Sequence, residues 1–351
     1  MTAAVIAETD LRPEPFSPSI AAGASTAAIE VRGLTRRYEE FIAVDDLSFA
    51  VAPGELFGFL GPNGAGKSTT IKMLCTLLRP TAGAAFVNGH EVTEEPARVR
   101  ESIGIVFQDY SLDDRITAEE NLRFHCMIYH VPRAERAARI AQVLAMVDLT
   151  DRAGDKVRQF SGGMKRRLEI ARGLLHHPAV LFLDEPTVGL DPQTRERIWE
   201  HVHDLRRREG ITVFMTTHYM DEADQCDRIG IMDHAHLIAL DTPAALKASI
   251  GGDVVRLRTV DDQAATTWLK DEEGLTPVQE DGRLRIEVTA ADEFVPSLLV
   301  RMPVTVRSID IAKPTLNDVF LRLTGRAIRE ESVDSREHLK AALRRRGRRG
   351  A

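Results

Sequence analysis

Two hydrophobic rhythms alternate along the chain. From Ala28 onward, Ile29 and Val31, then Leu47, Phe49 and Val51, put every second side chain on one face, the period of a half-buried strand. Residues 55–60 (ELFGFL) form a nearly unbroken apolar run that leads into a glycine-rich loop, as a buried strand does. Residues 179–183 (AVLFL) and 212–216 (TVFMT) have the same character. Helical texture dominates residues 118–147, and shorter helices are expected at residues 67 to about 78 and 164 to about 175. Strands alternating with helices predict an α/β chain with a largely parallel sheet covered on both faces.

After about residue 248 the rhythm changes. Residues 254–258 (VVRLR) and 284–288 (LRIEV) alternate apolar and polar, with Trp268 and Leu269 in an expected helix between them. A small α+β domain is expected over residues 246–325, following a first domain over residues 28–245. Residues 1–27 are rich in Ala, Ser and Pro and read as a flexible extension. Residues 326–351 read as a charged tail. Its basic run, Arg344 to Arg349, fits a solvated tail better than a lipid-headgroup site.

Composition narrows the picture. The 351 residues are 43% hydrophobic and 28% charged, enough for two globular domains. A net charge of −7 gives no bulk drive toward nucleic acid. Cys75, Cys126 and Cys226 are scattered and form no CxxC pair, which suits a reduced, cytosolic protein. No apolar run approaches the roughly 20 residues that span a bilayer, and no signal peptide is expected. Any membrane role then falls to a partner.

The chemistry starts at residues 61–68. Gly61, Pro62, Asn63, Gly64, Ala65, Gly66, Lys67 and Ser68 fit the phosphate-binding pattern GxxxxGK[ST], followed by Thr69. Glycines admit backbone conformations that a Cβ forbids, so successive N–H groups turn inward as a nest for phosphate oxygens. The helix beginning near Lys67 aims its positive end at the same anion. Lys67 is expected on the β- and γ-phosphates of ATP, and Ser68 on Mg²⁺. The apolar strand at 180–183 ends in Asp184, placed to hold Mg²⁺, and Glu185, placed as general base toward water. No guanine-reading Asn-Lys-x-Asp occurs. His234 and His236 lack a partner cluster, so no zinc site is expected.

Further motifs point to one family. Residues 160–164 (FSGGM) resemble the signature of ABC ATPases, usually LSGGQ, with Phe for Leu and Met for the final Gln. Gln108 resembles the Q-loop glutamine, residues 189–191 (GLD) the D-loop, His218 the switch histidine, and Tyr38 the aromatic that stacks on adenine. The chain over residues 28–245 therefore resembles an ABC nucleotide-binding domain, a P-loop NTPase with a helical subdomain at about 110–160. The Met-ending signature and residues 314–325 (PTLNDVFLRLTG) resemble ABC-2-type drug exporters.

The resemblance implies a homodimer with ATP sandwiched between the P-loop of one copy and Ser161, Gly162 and Gly163 of the other. Asp191 would lie in that interface, and Gln108 would sense Mg²⁺ and the γ-phosphate. It also implies a separate integral membrane permease, whose coupling helix would meet Tyr110, Ser111, Leu112 and Asp113, and a peripheral position on the cytoplasmic face of the membrane. Arg166, Arg167 and Arg172 read as solvated helix charges, and His176 and His177 as surface residues. An importer, a polysaccharide or lipid exporter, and a soluble ABC ATPase acting on ribosomes or nucleic acid are the competing readings. A soluble factor would usually carry two cassettes or long coiled coils, which this chain lacks.

Overall fold

In the computed structural model, which describes residues 27–39, 41–280 and 282–325, the first two strands are long. β1 (Ile29–Tyr38) and β2 (Phe41–Val51) pair antiparallel, with Ile29 opposite Val51 and Val31 opposite Phe49. These apolar partners share one face, so the period-two pattern fixes the register. After β3 (Leu56–Leu60) and α1 (Lys67–Leu74), β4 (Ala82–Val87) returns to the other side of β1, and β5 (His90–Glu91) completes a four-stranded sheet. α1 ends at Leu74, short of the expected residue 78, because Thr76 turns into the left-handed region at φ 63°.

α2 (Pro96–Ser102) leads into β6 (Ile103–Val106). The helical stretch is split into α3 (Ala118–Ile128) and α4 (Arg136–Met146), with Pro132 in the break. Thr117 and Glu120 form a reciprocal capping box at the start of α3. α5 (Gly162–Gly173), β7 (Val180–Asp184), α6 (Pro192–Glu209), β8 (Thr212–Thr217), α7 (Met220–Ala223), β9 (Arg228–Asp233), β10 (His236–Asp241) and α8 (Pro243–Ser249) follow.

The central sheet has the order β10-β9-β3-β8-β7-β6; β10 is antiparallel and the other strands are parallel. Phe49, Phe57, Phe59, Phe182 and Phe214 fill the space between the two sheets, with Phe49 and Phe59 centroids 5.0 Å apart. Register matters most at the carboxyl ends, where Leu60 pairs with Thr217, Asp184 with Thr216 and Val106 with Leu183. The loops after β3, β6, β7 and β8 therefore emerge side by side, which is where open α/β sheets bind ligands.

The remaining elements are β11 (Asp253–Thr259), α9 (Asp262–Glu273), β12 (Val278–Glu280), β13 (Arg283–Val288), α10 (Ala291–Arg301), β14 (Val306–Ala312) and α11 (Leu316–Thr324). The strands form an antiparallel sheet of order β12-β13-β11-β14, a ferredoxin-like βαββαβ arrangement with its own core of Val255, Leu257, Leu269, Ile286 and Leu298. α11 leaves that core. Its Leu316, Val319 and Phe320 join the core that contains Ala223 and Leu246, so the last helix packs on the nucleotide-binding part. Among the described residues, no helix is long and apolar enough to cross a membrane. The expected extension, apart from Ala27, and the expected charged tail lie outside the described residues.

Candidate functional site

The loop from Gly61 to Gly66 connects β3 to α1 and curls because two of its glycines, Gly64 and Gly66, take positive φ. Gly66, at φ 107°, is the N-cap of α1, and a Cβ there would sit 2.5 Å from the Ala43 carbonyl oxygen. Lys67 is buried; its Nζ donates to Gly61 O at 2.6 Å and Pro62 O at 3.1 Å. Burial pulls the Lys67 pKa down from its ordinary value, and Glu185 and Asp184 oppose that shift. A cavity of about 290 Å³ opens here, lined by Phe41, Asn63, Lys67, Ser68, Thr69, Gln108 and Glu185 among others.

Ser68 Oγ donates to Asp184 Oδ1 at 3.0 Å, and Thr216 Oγ1 donates to the same oxygen at 2.6 Å. Glu185 follows on a backbone at φ 47°, unusual for a residue with a Cβ. Its N–H is fixed by Thr216, through the carbonyl oxygen at 3.2 Å and Oγ1 at 3.1 Å. Its Oε1 lies 3.1 Å from His218 Nδ1 and 3.8 Å from Lys67 Nζ. A carboxylate 5% exposed and flanked by an ammonium and an imidazole is held where it can accept a proton from water.

Ser161 caps α5, its Oγ accepting from Met164 N at 3.3 Å. Ser161 and Gly162 are exposed, and neither they nor Gly163 line the cavity. Gly163 has no room for a side chain, since a Cβ would lie 2.2 Å from Thr194 Cγ2. Asp191 caps α6, accepting from Thr194 N at 2.9 Å and Thr194 Oγ1 at 2.7 Å, and these bonds hold its pKa below the ordinary carboxylate value. Tyr38 stands at the end of β1 with the Arg36 guanidinium 4.4 Å from its ring centroid. Phe41, the exposed first residue of β2, lines the cavity, and sequence reasoning passed over it.

With that geometry in place, comparison with known proteins decides the family. A family model described as ABC transporter matches residues 44–188, and one described as ATP-binding protein DrrA1-3-like, C-terminal domain, matches residues 242–324. The linearmycin resistance ATP-binding protein LnrL of Bacillus subtilis (strain 168) is 40% identical over 311 residues, covering 86% of this chain and 100% of that protein. The daunorubicin/doxorubicin resistance ATP-binding protein DrrA of Streptomyces peucetius is 42% identical over 320 residues, 88% of this chain and 96% of that one. This chain belongs to the ABC transporter family. It is an ATP-binding, ATP-hydrolysing subunit. A solved dimeric ATP-binding cassette, in a post-hydrolysis state with ADP and Pi, shares the fold at 28% identity and a TM-score of 0.56, covering 61% of this chain and 98% of its own.

Two expectations about charge need correcting in this ABC ATPase. Arg166 and Arg172 are not solvated helix charges but buried. Arg166 donates to Phe107 O at 2.5 Å and Gln108 O at 2.9 Å, while Arg172 pairs with buried Glu169 at 2.8 Å. Glu169 in turn accepts from Ser111 N at 2.8 Å, and Tyr110 donates to Gly162 O at 3.1 Å. The segment after Gln108 is thus fastened to α5. Arg167 donates to Val147 O at 2.9 Å. His176 is not a free surface residue either: it stacks on Tyr129 at 4.0 Å and contacts Ile103 O at 2.8 Å. Cation-rich helix patterns look alike in sequence whether their carbonyl partners lie on another loop or in water.

Proposed function

We propose that this ABC ATPase energises export of a drug-like or other hydrophobic compound through a separate membrane permease, from the cytoplasmic face of the membrane. We place the nucleotide-binding domain over residues 28–245 and an accessory or dimerisation domain over residues 246–325, although Leu246 of α8 and the last helix, α11, pack in the core of the first. Support for export comes from the two resistance proteins, which resemble the chain over nearly their whole length, and from the DrrA-like match over residues 242–324.

The hydrolytic mechanism rests chiefly on one observation: Lys67, Gln108, Asp184, Glu185 and His218 converge at the carboxyl ends of four adjacent parallel strands. Residues 61–69 and Lys67 cradle the phosphates. Ser68 and Asp184 offer hard oxygen donors 3.0 Å apart, a set that fits Mg²⁺, with Gln108 at the same cavity. Mg²⁺ held by these residues would supply positive charge against the phosphates. Glu185 takes the proton of the attacking water, and His218 holds the Glu185 carboxylate in place. Ser161, Gly162 and Gly163 of a second copy close over the γ-phosphate with the positive end of α5 behind them. Asp191 lies at that junction. Tyr38 takes the adenine, with Phe41 as the nearer ring on the cavity wall.

Steady-state hydrolysis together with nucleotide binding tests this assignment. Glu185→Gln is expected to bind ATP as the wild type does and to lose about 10³-fold in kcat, the scale of a missing general base. Lys67→Ala is expected to weaken binding itself. Full turnover in Glu185→Gln would move the base elsewhere.

A further inference from the structure

Glu185 and His218 stand on different loops, so their 3.1 Å contact requires those loops to stay in register. One buried carboxylate touches both. Glu222 lies on α7 and is 1% exposed. Its Oε1 accepts from the hydroxyl of Thr187, two residues after Glu185. Its Oε2 accepts from Thr217 Oγ1 at 2.6 Å, on the residue before His218. Thr217 Oγ1 also accepts from Tyr219 N at 2.9 Å, which fixes the turn around His218 from the other side.

A second route joins the same residues. Arg195 of α6 places Nε 3.9 Å from Glu222 Oε1 and its guanidinium carbon 4.1 Å from the Tyr219 ring centroid, and that ring lies 4.2 Å from the His218 ring. Glu222, Arg195, Tyr219 and His218 thus form a chain of contacts that runs back to Glu185. A carboxylate so fully buried is costly unless its oxygens are hydrogen-bonded. Burial pushes the Glu222 pKa up, and the two threonine hydroxyls oppose that shift. An apolar residue could fill the space, but it could not hold two hydroxyls from two separate loops at once.

We infer that Glu222 is a positioning residue for ATP hydrolysis: it ties the loop of Glu185 to the loop of His218 and so keeps the base aimed at water. The inference rests on Glu185 acting as the base. Glu222 does not line the nucleotide cavity, so its effect is expected in kcat rather than in ATP binding.

The test measures kcat, KM and ATP affinity for full-length Glu222→Ala and Glu222→Gln, each alone and combined with Glu185→Gln. Glu222→Ala is expected to lose between about tenfold and 100-fold in kcat, the scale of a displaced catalytic group, with ATP affinity unchanged. Glu222→Gln is expected to recover most of the rate, since its amide oxygen accepts from one threonine and its NH₂ donates to the other. In the Glu185→Gln background, Glu222→Ala should cost nothing further in single-turnover hydrolysis. Wild-type kcat in Glu222→Ala, or an equal loss with and without Glu185, would overturn the inference. Full turnover in Glu185→Gln alone would instead overturn the reading of the base. If Glu222→Ala does not fold, Thr187→Val and Thr217→Val each remove one hydroxyl at nearly constant shape. Both should lower kcat at unchanged ATP affinity, and normal kcat in both would refute the tie.

Discussion

Glu185 sits at φ 47°, a conformation that costs a residue with a Cβ roughly 1–2 kcal/mol. It is held there by Thr216, which accepts from the Glu185 N–H and donates to the Asp184 carboxylate, so one threonine fixes the Glu185 backbone and the Asp184 side chain at the end of β7. Strain maintained by surrounding bonds is common at sites that must be pre-organised. Away from the site, burial sets a different residue-scale property. Burial, with a smaller contribution from Arg172, lowers the pKa of His125 on α3 to about 4. In the unfolded chain an imidazole titrates near 6.5. The unfolded state therefore takes up its proton first as pH falls. His125 contributes full stability above about pH 6.5 and loses it progressively toward pH 4. Urea midpoints measured at pH 7 and pH 5 should fall less for His125→Asn than for the wild type. Equal falls would show that His125 does not titrate between folded and unfolded states.

At the scale of elements, α11 connects the two parts of the chain. Leu316, Val319 and Phe320 are buried beside α7 and α8, the Thr315–Asp318 capping box starts the helix, and Arg322 donates to Ile250 O at the end of α8. Phe320→Ala is expected to destabilise the nucleotide-binding part by about 3 kcal/mol, the usual cost of a large cavity in a packed core, read by chemical denaturation. A loss confined to the ferredoxin-like part would contradict that packing. The sequence marked residues 314–325 by resemblance; where the helix packs was not legible, because periodicity gives a buried face and never its partner. The same limit explains Arg166 of α5, whose partners are the carbonyls of Phe107 and Gln108, 59 and 58 residues away in sequence. What the sequence did disclose were features set locally: the glycine-rich loop and the apolar strands ending in Asp184 and before His218. Phe41 escaped notice because a cavity wall is a tertiary property.

At the scale of the whole molecule, the described site is one-sided. Lys67, Ser68 and Glu185 line a cavity, while Ser161 and Gly162 stand exposed at the N-terminus of α5 and do not line it. Two copies arranged head to tail would bring each exposed helix end to the other's cavity, where a bound triphosphate supplies the negative charge that both ends favour. ATP would then select the closed pair, and hydrolysis would remove the anion that holds it. Blocking hydrolysis should accumulate the closed pair, which makes Glu185→Gln the informative variant. On size-exclusion chromatography it should elute as a monomer without nucleotide and as a dimer with Mg-ATP, while Lys67→Ala should remain monomeric under both conditions. A dimer present without ATP would place the permanent contact elsewhere, with the ferredoxin-like part as the first surface to delete. A monomer that binds ATP without pairing would rule out the nucleotide sandwich as the force that joins two free copies, and leave the permease to bring them together.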